Sequence, residues 1–273
     1  MKMNRYHLFL IPFLSFLLGW SLLSWGKPET FTEVEKLAQK IEDRTTGWIG
    51  LQADLTLHFL TSQTFRASCR GEMLYHRLDE KILLNCFNDE EKLLFSFKSE
   101  DTNFSLYVPA EDLVYQGTIF DLEDSPDIES HLKPRDLYRG LKLAFIPRDK
   151  SELVYQNGNM TILNVQGDYR GTPYLSRRLL INQTADVLEE TYYDFEGNPT
   201  LDIRRSDFRS IEIPESGFDR KVVFPFRIEL ECLKKNHGEI EKTILYFEKI
   251  TFRPWIEETA WNLTGSEKTQ TKD

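Results

Sequence analysis

From Gly47 onward the chain alternates apolar and polar residues with a period of two, and this pattern limits the fold more than any other feature. In WIGLQADLTLHF, at 48–59, every second residue from Leu51 to Phe59 is apolar, and the residues between them are polar. The run FRASCRGEMLY, at 65–75, repeats the pattern. Because successive side chains of a β-strand point to opposite faces, these runs predict a sheet with one apolar and one solvated face.

Comparable runs continue almost to the C-terminus, and short turns such as Asn157-Gly158 separate them. We estimate about ten or eleven antiparallel strands. Several runs reach ten residues or more, which favours one large curved sheet over a sandwich of short strands. The predicted fold class is therefore mainly β, of the α+β type.

Two segments break the alternation and are predicted to be helical. The first, at 27–43, begins with Thr30 and Glu33 at the spacing of a capping box. The second is a short helical insert within 121–143, near Pro134. An apolar sheet face must be covered, and we expect these two segments to cover it. The apolar side of the first helix consists of Phe31, Val34, Leu37 and Ile41.

The apolar face of the early strands is either a packed core or the lining of a ligand cavity, because both need the same side chains. A curved sheet with only a few turns of helix on it leaves space between the two layers, which favours a cavity for an apolar ligand. The candidate lining residues are Leu55, Leu57, Phe59, Met73, Tyr75, Ile82, Leu84, Phe95, Phe97 and Leu106.

The first 26 residues have the features of an export signal. Lys2 and Arg5 precede a nearly unbroken apolar run from Leu8 to Trp25, and we place a cleavage site after residue 26. The run is also long enough for an uncleaved membrane anchor. Both interpretations predict export to the periplasm or cell envelope, with a single domain at 27–262 and a disordered polar tail at 263–273.

Charge and motifs argue against several classes of function. The formal net charge is −10 at pH 7 and there is no basic tract, so no nucleic-acid partner is expected. The five histidines lack metal-ligand spacing, and no G-x-S-x-G, phosphate-loop or H-E-x-x-H motif occurs. We therefore expect no enzyme activity, no cofactor and no metal site.

Two of the three cysteines, Cys69 and Cys86, fall on the apolar faces of neighbouring predicted strands. A two-residue turn at Arg77 and Leu78 would place them directly opposite one another, at a spacing slightly wider than a disulfide prefers. We predict that they are neighbours, either joined by a disulfide or packed as two small core residues.

The stretches GEMLYHRLDEKILL (71–84) and FSLYVPAEDLVY (104–115) resemble the LolA/LolB-like lipoprotein carriers of bacterial envelopes. Gly71 and Arg77 match a family pattern of a small residue followed by a strand that ends in Arg-Pro at a hairpin turn. Tyr107-Val108-Pro109 matches a later aromatic-x-Pro turn, and YYDFEGNPTLDIRRSDFR and VVFPFRIELEC are similar to the late strands. The departures are Leu78 in place of the proline and a long middle segment at 118–150.

The resemblance implies a half-open antiparallel β-barrel with helices as a lid, and a cavity that carries acyl chains of lipids or lipoproteins. It implies that Arg77 is a lid latch that donates to carbonyls of the lid helices, although the residue also suits a solvated turn. The expected partners are an acyl lipid or lipoprotein and donor or acceptor proteins of the envelope membranes, and we expect a monomer. The alternative is a non-transporting binding or sensor module that uses the same concave sheet.

Overall fold

The structure is a computed structural model and describes residues 32–61, 64–119, 134–142, 145–213, 221–236, 239–253, 256–262 and 270–272. The predicted leader, Thr30 and Phe31 lie outside the described residues. Glu33–Asp273 is one compact unit. Its described helices are α1 (Glu33–Thr45) and α2 (Pro134–Leu141), and its described strands are β1 (Gly50–Thr61), β2 (Thr64–His76), β3 (Lys81–Phe87), β4 (Leu93–Glu100), β5 (Asn103–Val108), β6 (Leu113–Thr118), β7 (Ser151–Gln156), β8 (Met160–Tyr169), β9 (Thr172–Asn182), β10 (Val187–Tyr193), β11 (Pro199–Glu212), β12 (Lys221–Asn236), β13 (Glu239–Arg253) and β14 (Gln270–Lys272).

These strands lie in one sheet, in the order β14-β6-β5-β4-β3-β2-β1-β13-β12-β11-β10-β9-β8-β7. Thirteen of them pair antiparallel, and β14, which comes from the tail for which we predict disorder, pairs parallel with β6. Within the described residues the two end strands, β14 and β7, do not pair with each other, so the sheet is open. The predicted mainly β class and the open antiparallel sheet are confirmed.

The estimate of ten or eleven strands is wrong, because the described residues form fourteen strands, several of them short. Strands β5, β6 and β7 have only six residues each. Asp101 (φ 52°) and Asp112 (φ 53°) adopt the left-handed conformation in the turns on either side of β5 and reverse the chain within a few residues. Each reversal separates two short strands of the sheet.

The central strands share a large buried apolar cluster on one face of the sheet, which we call the inner face. In β1 the alternation seen in the sequence is also a burial pattern, since its odd-numbered side chains from Leu51 to Phe59 are buried and its even-numbered ones are not. Each large side chain buried in this way contributes about 1.5–3 kcal/mol to folding. From β12 the cluster contains Val222, Phe224, Phe226, Ile228 and Leu230.

Helix α2 contacts strands that are far apart in the sheet. Tyr138 Oη donates to Ser99 Oγ of β4 at 3.2 Å, and the carbonyl oxygen of Arg139 accepts from Arg205 Nη2 of β11 at 2.9 Å. Six strand spacings separate β4 from β11, which is roughly 29 Å across a flat sheet, whereas an eight-residue helix is only about 12 Å long. The sheet therefore curves around α2, with its inner face on the concave side.

Helix α1 lies near β12 and β7, and its buried side chains contact those of strands between them, β8, β9 and β10. Ala38 and Ile41 are buried in a second apolar cluster with Leu163, Leu179 and Ile181 of those strands. In the described residues α1 begins at Glu33, and it ends at Thr45, two residues after the predicted end. Helix ends are the least certain part of any sequence-based assignment, because tertiary contacts decide whether the last turn forms.

Candidate functional site

The ten residues predicted to line a cavity all belong to the inner face. Seven of them lie in the large cluster, Phe97 lies in a neighbouring cluster, and Phe95 and Leu106 are partly buried against these clusters. Three side chains of α2, Leu137, Tyr138 and Leu141, belong to the same large cluster. The inner face is therefore packed against a short helix. The seven predicted lining residues that lie in the large cluster are Leu55, Leu57, Phe59, Met73, Tyr75, Ile82 and Leu84.

Polar contacts hold α2 at this position as well. Burial raises the pKa of Tyr138 to about 12, so its hydroxyl stays protonated and donates to Ser99. Just after the helix, Lys142 Nζ donates to Glu80 in the β2–β3 turn at 2.6 Å. Gly140 permits close packing on β12, since a Cβ at this position would lie 2.8 Å from Cδ2 of Leu230.

Arg77, the predicted lid latch, contacts the end of α1. Its Nη1 donates to the carbonyl oxygen of Thr45, the last residue of that helix, at 3.3 Å. The indole Nε1 of Trp48 donates to the same carbonyl at 3.0 Å. The Arg77 guanidinium lies 5.5 Å from the ring centroid of Trp48, and Trp48 is buried in the inner cluster. Arg77 thus contacts both the helix and the aromatic residue that follows it. Of the predicted lid-helix residues, Ile41 is buried, and Val34 and Leu37 are partly buried.

The β2–β3 turn has four residues, 77–80, because Glu80 adopts a left-handed conformation with φ 47°. The predicted two-residue turn is therefore wrong, and with it the prediction that Cys69 lies directly opposite Cys86. Cys86 instead pairs with Gly71, two positions from Cys69. The structure nevertheless joins Cys69 and Cys86 by a disulfide, with Cα atoms 5.7 Å apart.

A buried charged cluster lies beside the C-terminal end of α2. Arg205 Nη2 donates to Glu190 Oε2 at 3.0 Å, and Arg177 Nη1 donates to Glu190 Oε1 at 2.8 Å. Arg205 also reaches α2, donating from Nη2 to the Arg139 carbonyl at 2.9 Å and from Nε to the Gly140 carbonyl at 3.3 Å. The side chains of Arg205 and Glu190 are 0% and 1% exposed. The strands thus supply a guanidinium group that caps the end of the helix.

Sequence reasoning missed this cluster. Two adjacent glutamates are typical of a solvated strand edge, but only Glu189 is exposed, and Glu190 is fully buried. A usable signal was the period-two spacing in LDIRRSDFR, where Arg205 follows Leu201 and Ile203 on the apolar face. An arginine at such a position indicates a buried charge, which needs a partner of opposite charge.

Tyr192 lies within this cluster and is surrounded by arginine side chains. The guanidinium of Arg139 lies 4.3 Å from its ring centroid, and that of Arg177 lies 5.9 Å away. Burial and the Glu190 carboxylate raise the pKa of Tyr192 above its ordinary value, although Arg177, Arg139 and Arg205 oppose the shift. The tyrosine therefore stays neutral, and the guanidinium groups carry the positive charge of the site.

The opposite, outer face carries a cleft of about 420 Å³ between β1, β11, β12 and β13. Its basic and acidic side chains neutralise one another, since Lys242 Nζ lies 3.0 Å from Glu231 and Arg227 Nη2 lies 2.6 Å from Glu229. The first pair joins β13 to β12 and the second lies along β12, and such ion pairs suit a solvated surface rather than an acyl chain. The cleft is lined by Leu60, Arg204, Arg227, Glu229, Glu231, Lys242 and Ile244.

The described residues contain neither a membrane-spanning helix nor a metal site. No helix there is long and apolar enough to cross a membrane. No group of three or more histidine, cysteine, aspartate or glutamate side chains there is arranged to hold a metal ion.

An open antiparallel sheet curved around a short helix defines a recognisable class of fold. No protein-family model and no curated protein matches the chain. An outer-membrane lipoprotein-sorting protein domain from Vibrio parahaemolyticus is similar with a TM-score of 0.54 at 13% identity, over 83% of this chain and 95% of that one. A LolA superfamily protein from Nitrosomonas europaea has a TM-score of 0.53 at 13% identity, over 85% and 98%.

A DUF1329 family protein from Desulfovibrio piger is also similar, with a TM-score of 0.55 at 13% identity, over 83% of this chain and 97% of that one. At such low identity these likenesses concern the fold alone. The chain has a LolA-like fold, as the resemblance of its strand and turn motifs predicts.

Proposed function

We propose that this chain is a carrier that sequesters acyl chains of a lipid or lipoprotein within its curved sheet, under a cover formed by α1 and α2. One observation carries the proposal: in the described residues, three side chains of the short helix α2 belong to the apolar cluster of the inner face. A helix of eight residues is unstable in water by itself, so α2 keeps its place only through contacts with the sheet. A ligand that offers the sheet better contacts displaces it.

The free energies of apolar burial favour the exchange of α2 for an acyl chain. Leu137, Tyr138 and Leu141 together gain roughly 5–9 kcal/mol by burial, at about 1.5–3 kcal/mol each. An acyl chain of about fifteen methylene groups gains roughly 12 kcal/mol, at about 0.8 kcal/mol per group. One lipid chain therefore replaces the apolar contacts of α2 and leaves a surplus. The carrier then needs only a receiver with higher affinity to release its cargo.

In the proposed carrier, the other predicted features have the following roles. Arg77 is the latch that holds the end of α1 through the Thr45 carbonyl. The chain acts as a monomer in the periplasm or cell envelope, receives lipid from a membrane donor and passes it to an acceptor. Sequestering a chain needs no catalytic group, so we propose no enzyme activity. The LolA-like fold of the solved structures supports this assignment.

The experiment that tests the carrier function tethers α2 to β12. Gly140→Cys and Leu230→Cys suit this purpose, because replacing Leu230 removes the Cδ2 atom that a Cβ at Gly140 would meet at 2.8 Å. Both changes are made in a Cys232→Ser background to exclude other pairings. Uptake of a fluorescent fatty acid is then measured in the oxidised and the reduced protein, and native mass spectrometry of detergent-free protein identifies any lipid that purifies with it.

We expect uptake by the reduced protein and none by the tethered protein. Cys232→Ser alone, treated with the same reductant, controls for reduction of the Cys69–Cys86 bridge. Equal uptake by the tethered protein would contradict displacement of α2. If the unmodified protein neither takes up fatty acid nor carries lipid, the inner face is a packed core. The binding-module alternative would then direct the search towards a protein partner.

A further inference from the structure

The guanidinium group of Arg205 has more hydrogen-bonding capacity than its surroundings use. Its Nε and Nη2 donate to the Arg139 and Gly140 carbonyls and to Glu190, whereas Nη1 is buried without a hydrogen-bond partner in the described part of the chain. Leaving a buried charged donor unpaired is costly. The site is therefore short of acceptor oxygens.

Among the described residues the site also has an excess of positive charge. Three guanidinium groups, of Arg139, Arg177 and Arg205, surround Tyr192, and two carboxylates, of Glu190 and Asp136, pair with them. The carbonyl groups at the end of α2 supply part of the missing negative charge, since the C-terminal end of a helix carries a partial negative charge. When α2 withdraws, Arg205 loses two of its three acceptors and needs replacements.

We propose that Arg205, supported by Arg177, binds the anionic head group of the acyl ligand at the place that the α2 carbonyls occupy in this structure. Carboxylate or phosphate oxygens suit the planar guanidinium fork, which accepts two of them side by side. This inference rests on the proposed carriage of acyl chains and adds the class of ligand: a single-chain or double-chain lipid with a negatively charged head group.

The position of the cluster fits such a ligand. Arg205 is 0% exposed and follows Leu201 and Ile203 along the inner face, whereas Arg177 is 16% and Arg139 is 29% exposed. Exposure thus increases across the cluster, from the apolar interior towards solvent. A head group at Arg205 would have its chain among the inner-face side chains and its remaining oxygens near Arg177 and Arg139.

The test compares ligands that share a chain and differ in charge. Binding of decanoate, decyl phosphate and 1-decanol to the full chain is measured by calorimetry at pH 7.5, with acetate and inorganic phosphate as probes that lack a chain. An apolar cavity alone favours the alcohol, because removing a carboxylate from water costs more than removing a hydroxyl. We expect decanoate and decyl phosphate to bind about tenfold tighter than decanol or more, the gain of a charge-assisted hydrogen bond.

Arg205→Met is expected to remove this preference, measured as the ratio of the dissociation constants of decanol and the anions, because the loss of its two contacts with α2 affects every chain-bearing ligand alike. The variant keeps the Glu190–Arg177 pair, so the remaining buried charges stay balanced. Arg205→Lys retains the charge without the fork and is expected to keep part of the preference. Arg204→Met, at the neighbouring half-exposed position on the outer face, is the matched control and should retain all of it.

The outcomes separate this inference from the proposed function. If decanol binds as tightly as the anions, or if Arg205→Met keeps the preference, the head-group site is wrong and the carrier function stands. If no ligand with an alkyl chain binds, the proposed carrier function is wrong, and the head-group site that rests on it is wrong as well. Binding of acetate or inorganic phosphate as tight as that of the chain-bearing anions would assign the cluster to small free anions and overturn the inference.

Discussion

At the scale of single residues, two arginines each donate hydrogen bonds to the C-terminal carbonyls of a helix. Arg77 donates to the last carbonyl of α1, and Arg205 donates to the carbonyls of Arg139 and Gly140 near the end of α2. The last four carbonyls of any helix lack partners within the helix, and cations near them are favourable. A side chain of the β2–β3 turn and one of β11 therefore supply polar partners for the ends of the two helices.

Arg77→Met is expected to loosen α1 without disrupting the sheet. The change removes the hydrogen bond to Thr45 and the contact with Trp48, at a cost of about 1 kcal/mol in the free energy of unfolding. Fatty-acid uptake should become faster. Thermal denaturation and stopped-flow uptake measure the two effects. Arg70→Met is the control, since Arg70 pairs with the exposed Glu91. If Arg77→Met takes up fatty acid at the original rate, Arg77 is a turn residue and not a latch on α1.

The Cys69–Cys86 bridge is expected to leave one thiol per chain outside a disulfide, that of Cys232. Titration of the oxidised, denatured protein without reductant measures this number, and three thiols would exclude the bridge. The bridge spans 17 residues, and closing a loop of this length stabilises a protein by about 3 kcal/mol. The Cys69→Ala, Cys86→Ala double variant should therefore denature at a lower temperature, whereas Cys232→Ala should not.

At the scale of elements, α1 is attached to the β9–β10 turn by an ion pair. Arg44 Nη2 donates to Asp186 Oδ1 at 2.6 Å, and Thr184 Oγ1 and Asn182 Nδ2 donate to Oδ2 of the same carboxylate. Burial alone would raise the pKa of Asp186, but these hydrogen bonds and the charge of Arg44 outweigh it, and the pKa lies below its ordinary value. The folded state therefore favours the ionised carboxylate.

This attachment predicts a pH-dependent contribution to stability. Because the folded-state pKa is lowered, the stabilisation is complete above the unfolded pKa, about 3.9, and is lost as pH falls through the folded pKa. Arg44→Met should lower the free energy of unfolding by about 1 kcal/mol at pH 7 and by much less in acid below that range. Urea denaturation of both proteins from pH 7 downwards measures the difference. A gap that stays constant with pH would mean that Arg44 acts through packing alone.

Lys36→Met is the control on the same helix. Lys36 pairs with Glu33 at 3.0 Å, and both side chains are about two-thirds exposed. An exposed pair of this kind contributes less than about 0.5 kcal/mol, so this variant should match the original protein at every pH.

The sequence predicts the elements of this fold better than their register. Period-two alternation places Leu55 and Leu57 on the inner face, because the pleat of a strand admits no other arrangement. It does not reveal the four-residue turn at 77–80, since nothing in the residue types requires Glu80 to adopt a left-handed conformation. The same alternation places Arg205 on the apolar face, but it does not identify Glu190 as its partner, because the two meet only when β10 and β11 lie in one sheet beside α2.

At the scale of the whole unit, the sheet and the helices have different kinds of support. The central strands β1, β2, β12 and β13 are hydrogen-bonded on both sides along the sheet. The two helices contribute to separate apolar clusters, α1 to the one on β8–β10 and α2 to the one on the central strands. Movement of α2 therefore leaves the cluster beneath α1 intact, and the sheet remains a stable frame for exchange at its inner face.

Hydrogen exchange with and without a bound fatty acid tests this division. Ligands usually increase the protection of the amides around them, whereas a ligand that displaces α2 should decrease protection at residues 134–141. The amides of β1 and β12 should keep their slow exchange in both states, because their ladder partners do not change. The protein with the Gly140→Cys and Leu230→Cys tether should show no ligand-dependent change in α2. If the ligand instead protects α2, the helix closes over the chain, and the exchange of helix for lipid is wrong.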